Sequence, residues 1–305
     1  MVFAIMPNSL GLQKVEKMKN LLSTKDLTKN DVSKIFKLTD ELKDKRGPIL
    51  KDKTLAMIFE KPSTRTRASF ETAMNQMEGD AIFFSESDTQ LGSGETIEDT
   101  ARVLSEYADG IVARLFEHKK MLELAKYSSV PVINALDDLE HPCQALADLY
   151  TIKKKKKKLK GVKIVFLGDG ANNTFHSLIY LCEKFGLNII VSCPPKYKPK
   201  VKAKYKIVKD PKKAVKDADV LYIDTFVSMG EESKEKKRLE DLKSYQLNSE
   251  LLKLAKKDVI VMHPLPAHRG TEITSDVMDG KNSVIFDQAE NRLHVQKAIL
   301  YLLMK

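Results

Sequence analysis

The sequence predicts an α/β protein of two domains, each a mostly parallel sheet flanked by helices, with a cleft between them. Three observations predict this. The chain has 305 residues, and domains commonly run to ~150 residues each. Short apolar runs alternate with stretches of helical periodicity across short connections, the pattern of parallel strands covered by helices. One long helix then separates two such series and puts the domain boundary near Tyr150.

The elements follow in order. "TKNDVSKIFKLTDELKDK" has helical periodicity, with Thr28 or Asn30 as N-cap. "TLAMIFE" reads as a strand, "RTRASFETAMNQME" as a helix, and "DAIFFSE" as a strand. "ETIEDTARVLSEYA" is a helix, "GIVARLF" a strand, "KKMLELAKYS" a helix and "PVINAL" a strand. "HPCQALADLYTIKKKKKK" is the long bridging helix. The second series opens with strand "GVKIVFLGDG", a helix from Asn173 to Phe185, and strand "NIIVSC". Strand "DVLYID", helix "SELLKLAKKD", strand "VIVMHP" and a last helix, "NRLHVQKAILYLLMK", complete it. The charged stretch "MGEESKEKKRLEDLKSYQ" reads either as a lid or as a solvated helical insertion.

Composition narrows the function. Apolar residues make up 42% of the chain, and no apolar run approaches the ~18–20 residues of a membrane span. Near the N-terminus the basic residues follow the apolar ones, the wrong order for a secretory signal, so a cytoplasmic protein is expected. Three cysteines form no CxxC pair, and six histidines show no metal-ligand spacing; no metal and no cofactor are expected. The net charge of +10 suits nucleic acid. Its largest block, Lys153 to Lys158, carries no interleaved aromatics and reads as a solvated helix end favoured by the helix dipole. No nucleic-acid or membrane partner is expected.

Five segments at strand ends carry candidate chemistry. In "EKPSTRTRASFE", a helix N-terminus combines unpaired N–H groups with hydroxyls of Ser63, Thr64 and Thr66 and the guanidiniums of Arg65 and Arg67. That density of donors fits a phosphate. A structural alternative makes Ser63 the N-cap and pairs the arginines with Glu60 and Glu71. "GDGANN" departs from a dinucleotide motif, since Asn173 replaces the third glycine and no acidic residue follows the next strand. Its Asn172 and Asn173 suit a tight turn or a ligand equally. In "EHPCQ", His141 and Gln144 open a helix, where His141 can donate to a polarised carbonyl; Cys143 reads as a small buried residue. In "DTFVSMG", Asp224 ahead of Ser228 suits an ammonium group. In "HPLPAHRG", Pro264 and Pro266 stiffen the backbone and expose carbonyls, and Leu265–Pro266 is a candidate cis bond. Strand carboxyl ends are where open α/β sheets bind ligands.

Together, "STRTR", "ARLF", "HPCQ", "SMG", "HPLPA" and "ENRLHVQKAIL" resemble, in the same order along nearly the whole chain, the aspartate/ornithine carbamoyltransferase family. The resemblance implies two α/β domains and an assembly that is a catalytic trimer or a multiple of it. Residues 1–150 would bind carbamoyl phosphate, with the C-terminal helix 289–305 packing back on them, and 151–288 would bind ornithine. It implies transfer of a carbamoyl group from carbamoyl phosphate to an amine. "DTFVSMG" is similar to the ornithine branch, which implies L-ornithine as acceptor and L-citrulline as product; putrescine and aspartate are the alternative acceptors. By the same resemblance, Ser63, Thr64, Arg65 and Thr66 hold the phosphate. Arg114, His141 and Thr66 reach the carbamoyl oxygen, and Gln144, beside Pro142 and Cys143, takes its NH2 group. Gln90 resembles a residue contributed near a neighbouring active site, and Arg292 closes over carbamoyl phosphate. Asn173, Asp224, Ser228 and Met229 bind the amino-acid end of ornithine. Pro264, next to Leu265, stands where the ornithine branch commonly has Cys; it has no thiol and no N–H, and only its carbonyl is left to accept from the substrate amine.

Overall fold

The computed structural model describes residues 18–89, 94–227, 233 and 235–305. The first lobe begins with α1 (Lys29–Leu42), capped by a reciprocal pair between Thr28 and Asp31. Then β1 (Thr54–Phe59), α2 (Thr64–Gln76), β2 (Asp80–Ser85), α3 (Ile97–Tyr107), β3 (Gly110–Arg114), α4 (His118–Tyr127) and β4 (Val132–Leu136) alternate. Helix α5 (Pro142–Lys156) leads to the second lobe: β5 (Lys163–Leu167), α6 (Asn173–Phe185), β6 (Asn188–Ser192), β7 (Lys206–Ile207), α7 (Pro211–Ala214) and β8 (Val220–Ile223). Helices α8 (Glu235–Leu242) and α9 (Ser249–Leu252), strand β9 (Ile260–Met262), α10 (Ser275–Met278) and α11 (Ile285–Met304) end it.

Both sheets are parallel, in the orders β2-β1-β3-β4 and β7-β6-β5-β8-β9. Strand alternation explains the packing. Leu55, Met57 and Phe59 of β1 enter the main core, while Ala56 and Ile58 face the other way, into a second cluster that includes Met121 and Leu124 of α4. Strand order reverses between β1 and β3 in one sheet and between β5 and β8 in the other. Such switch points open a crevice at the strands' carboxyl ends, and the two crevices face one cleft.

Helix α5 is buried from Pro142 to Ile152 and packs on α6 and α11; α11 also packs against α1 and α2. The lysine run at the end of α5 is not simply solvated. Lys154 pairs with Asp40 of α1 at 3.0 Å, Lys155 with Asp287 of α11 at 2.7 Å, and Lys156 with Asp258 at 2.9 Å. The run fastens the bridge to both lobes. The expected helix after Asn248 stops at Leu252, because the chain tightens into turns: Leu254 N–H donates to the Leu251 carbonyl and Ala255 N–H to that of Leu252. Within the charged stretch, α8 is helical and clamped, since buried Arg238 pairs with Asp169 and donates from Nε to the Phe226 carbonyl at 2.8 Å.

Candidate active site

A cleft of about 620 Å³ lies where the two carboxyl edges meet. Ser63, Thr64, Arg65, Thr66, Arg114, His141, Gln144, Asn173, Asp224, Pro264, Leu265 and Arg292 all line it. Pro142 and Cys143 do not; both are buried in α5, and the Cys143 thiol donates to the Asn134 carbonyl at 3.4 Å. Gln90, Ser228 and Met229 lie outside the described residues.

The first wall is built from the start of α2. Pro62 holds the chain extended, and Ser63 caps the helix, accepting from Thr66 N–H at 3.3 Å. The Ser63 hydroxyl donates to the Thr66 hydroxyl at 3.0 Å, and Thr66 accepts from Arg292 at 2.9 Å. So the Ser63 cap of the structural alternative is real, and one arginine pairing with it: Arg67 turns away from the cleft, bonds Glu71 at 2.8 Å and lies over the Phe83 ring. The expectation that Arg67 joins the donor cluster is thereby corrected. Its position, two residues after Arg65, points it around the helix. Glu60 takes Lys120 at 2.7 Å and the Phe116 N–H at 2.7 Å instead of an arginine. Arg65 has no carboxylate partner among the described residues.

Behind this wall stand Arg114, at the end of β3, and Arg292, in α11, both buried. Arg292 donates to the Gln144 carbonyl oxygen as well as to Thr66. Among the described residues, neither the Arg114 Nε nor the Arg292 Nε has a hydrogen-bond partner. Burial, then Arg292 and Arg65, push the Arg114 pKa down to about 9, still cationic at neutral pH. Burial and the same two buried arginines, Arg292 and Arg114, hold His141 well below the usual imidazole range, so it is neutral. Its backbone N–H donates to the Ser177 hydroxyl at 2.9 Å, and its ring Nδ1 is buried with no hydrogen-bond partner among the described residues. Lys61, which the sequence reading passed over, also lines the cleft with its ammonium over the Phe116 ring. Buried like charges without counterions are costly, so this wall favours an anion.

The second wall belongs to the other lobe. Gly168 (φ +100°) has no room for a Cβ, which would come within 2.9 Å of Phe226, and Gly170 is pressed against the Tyr197 carbonyl. "GDG" is therefore a packed turn. Asn172 caps α6, accepting from Thr174 and Phe175 N–H, and donates to Asp224 at 2.9 Å. Asn173 donates to the Asp137 carbonyl at 2.6 Å, across to the first lobe. Burial raises the Asp224 carboxyl, which His263 partly offsets. Leu265–Pro266 is cis. His263 accepts from Leu265 N–H at 2.9 Å, so its other nitrogen donates to Glu272, 3.1 Å away. Glu272 is fully buried and lines the cleft; one carboxylate oxygen takes His263 and the His268 N–H, and the other lies 3.6 Å from the His268 Nδ1. Sequence reasoning missed Glu272; its spacing of four from His268 was the available signal.

Among the described residues, no helix is long and apolar enough to cross a membrane, and no group of three or more His, Cys, Asp or Glu could hold a metal ion.

Comparison with known proteins gives a consistent result. Residues 19–154 match the carbamoyl-P binding domain of aspartate/ornithine carbamoyltransferase, and residues 160–303 match its Asp/Orn binding domain. An ornithine carbamoyltransferase of Thermococcus kodakarensis is 49% identical, over 94% of this chain and 96% of its own. An anabolic ornithine carbamoyltransferase of Pyrococcus furiosus is 48% identical, over 94% and 96%. Among solved structures, ornithine carbamoyltransferase from Pyrococcus furiosus superposes with a TM-score of 0.90 at 48% identity, covering 94% of this chain and 97% of that one. The one from Thermus thermophilus gives 0.89 at 39% identity, covering 94% and 99%. With both lobes and the cleft between them matched in this way, the chain belongs to the aspartate/ornithine carbamoyltransferase family.

Proposed function

We propose that the chain is an ornithine carbamoyltransferase. It transfers the carbamoyl group of carbamoyl phosphate to the side-chain amine of L-ornithine, giving L-citrulline and phosphate, in the biosynthetic direction. One observation carries this reading. Arg65, Arg114 and Arg292 line one wall, while Asp224 and Glu272 line the other. The cationic wall suits a phosphate dianion. The carboxylate wall suits an acceptor with ammonium groups and opposes aspartate, whose second carboxylate would meet two acids.

In this reading the N–H groups of α2, with Ser63, Thr64, Arg65 and Thr66, hold the phosphate. Arg114 and neutral His141 donate to the carbamoyl oxygen, and Gln144 accepts from the carbamoyl NH2. Arg292 closes the site beside Thr66. Asn173 and Asp224, with Ser228 and Met229, receive the amino-acid end of ornithine. The Pro264 and Leu265 carbonyls lie where the attacking amine enters.

The amine must be neutral to attack, against a free pKa like that of lysine, ~10.4. Its nitrogen bonds to the carbonyl carbon, and negative charge collects on oxygen between Arg114 and His141. One such preplaced donor is commonly worth ~2.7–4 kcal/mol of barrier. The C–O bond to phosphate then breaks, and the departing phosphate takes the amine proton. Holding both reactants in one cleft supplies much of the rate.

We assign residues 1–150 and 289–305 to carbamoyl phosphate and 151–288 to ornithine. The working unit is a cytoplasmic homotrimer, or a multiple of it, in which Gln90 serves a neighbouring site.

The test is an acceptor screen with carbamoyl phosphate and ornithine, acetylornithine, aspartate or putrescine. Citrulline should form, and phosphate should be released, with ornithine. Equal phosphate release without any acceptor, or faster turnover with putrescine, would contradict the assignment.

A further inference from the structure

Four residues behind the cleft form a closed polar cluster in the core. Asp148 is fully buried in α5 and accepts three hydrogen bonds. Gln144 Nε2 donates to it at 2.8 Å, Gln288 Nε2 at 2.8 Å, and the Tyr222 hydroxyl at 2.8 Å. Gln288 Nε2 also lies 3.2 Å from the Tyr222 hydroxyl. The far ends of the two amides meet different partners. The Gln144 carbonyl oxygen accepts from Arg292 at the cleft. The Gln288 carbonyl oxygen accepts from the His263 N–H at 2.9 Å, at the base of the proline-rich loop.

The outer partners, the Arg292 guanidinium and the His263 N–H, only donate, and the carboxylate between the two amides only accepts, so each amide is held from both ends. Burial raises the Asp148 carboxyl to about 6, which leaves it ionised at pH 8. Both amides must then turn NH2 inward and C=O outward.

We infer that Asp148 is a positioning residue: by fixing the Gln144 amide it presents an acceptor to the cleft, and so makes the site select a donor whose carbonyl carbon bears N–H. The inference rests on the function proposed above. It accounts for discrimination between carbamoyl phosphate and acetyl phosphate, which places CH3 where the former has NH2. With the acceptor fixed, acetyl phosphate leaves the Gln144 oxygen without that hydrogen bond. If the amide turned over, its NH2 would face the carbamoyl NH2 and the preference would vanish.

The experiment measures, at pH 8, the KM for carbamoyl phosphate with ornithine as acceptor and the Ki of acetyl phosphate as competitor. Wild-type protein comes first; if it makes no citrulline, the functional reading itself fails, before any variant is made. If it does, Asp148→Asn should raise the KM by roughly 10–100-fold while shifting the acetyl phosphate Ki by less than about threefold. The two constants moving together, or neither moving, would overturn the inference, since general loss of structure affects both ligands alike. A second variant guards against misfolding. In the exchange Gln144→Glu with Asp148→Asn, the amide donates from below and the carboxylate faces the cleft. The inference expects the Ki/KM ratio to return to within about tenfold of wild type. A ratio near one in the folded double variant would overturn it.

Discussion

Arg292, in the last helix, donates to the Thr66 hydroxyl at 2.9 Å, in the first turn of a helix 226 positions earlier in the chain. The same guanidinium holds the Gln144 carbonyl oxygen. Two fixed donors of one planar group therefore set the relation between α11, α5 and the phosphate wall. A lysine ammonium is a point charge and cannot reproduce that fork. Arg292→Lys should keep the fold, read by circular dichroism, and lower kcat/KM for carbamoyl phosphate by roughly 10²–10³-fold, the loss seen for one preplaced donor. Unchanged kinetics would remove Arg292 from the site.

The loop that leads into His141 carries a pH-dependent contact. His118 Nδ1 lies 2.6 Å from the buried carboxylate of Asp137, whose other oxygen accepts from the Leu139 and Glu140 N–H groups. The hydrogen bond to Asp137 raises the His118 pKa against an opposing effect of burial. A raised folded value means that the contact contributes fully below the unfolded pKa of ~6.5 and fades as pH climbs through the folded one. Melting curves of wild type and His118→Asn between pH 5.5 and 8.5 should show a gap that is wide at the acid end and narrows upward. A gap independent of pH would show that the charge on His118 plays no part.

With Pro264 in the cleft, no thiol is available to the reacting groups there. All three cysteines are buried. Burial pushes the Cys143 thiol up to about 12 and that of Cys193 up to about 11, and it raises Cys182 as well. Thiols of this kind are inert because the thiolate is the reactive form. Iodoacetamide at pH 8 should leave citrulline formation intact in the native protein. Activity lost in step with one label per chain would contradict this.

Much of the architecture was legible because it rests on short-range signals. β1 shows itself as "TLAMIF", and the start of α2 in Pro62 and Ser63. The arginines behind Ser63 were harder, since Arg65 and Arg67 look alike in sequence and only the turn of the helix separates them. Lys61 was overlooked beside them. One buried acid was illegible for a different reason. Asp148 meets Tyr222 and Gln288 from 74 and 140 positions away, partners set by how the lobes dock, which no local pattern encodes. Glu272 sits only nine positions from its partner His263, but nothing in the loop between them marks the turn that brings them together. The two-residue strand β7 escaped notice because both its residues are exposed and carry no alternation.

The central claim is that one cleft receives a phosphate dianion on the α2 wall and an amino acid on the Asp224 wall. A crystal structure with carbamoyl phosphate and an unreactive ornithine analogue tests it most directly. Phosphate oxygens should lie within hydrogen-bonding reach of the Thr64–Thr66 amides and the Arg65 guanidinium, with the carbamoyl oxygen between Arg114 and His141. Ligand bound away from α2, with Arg65 and Arg114 facing protein instead, would contradict the account.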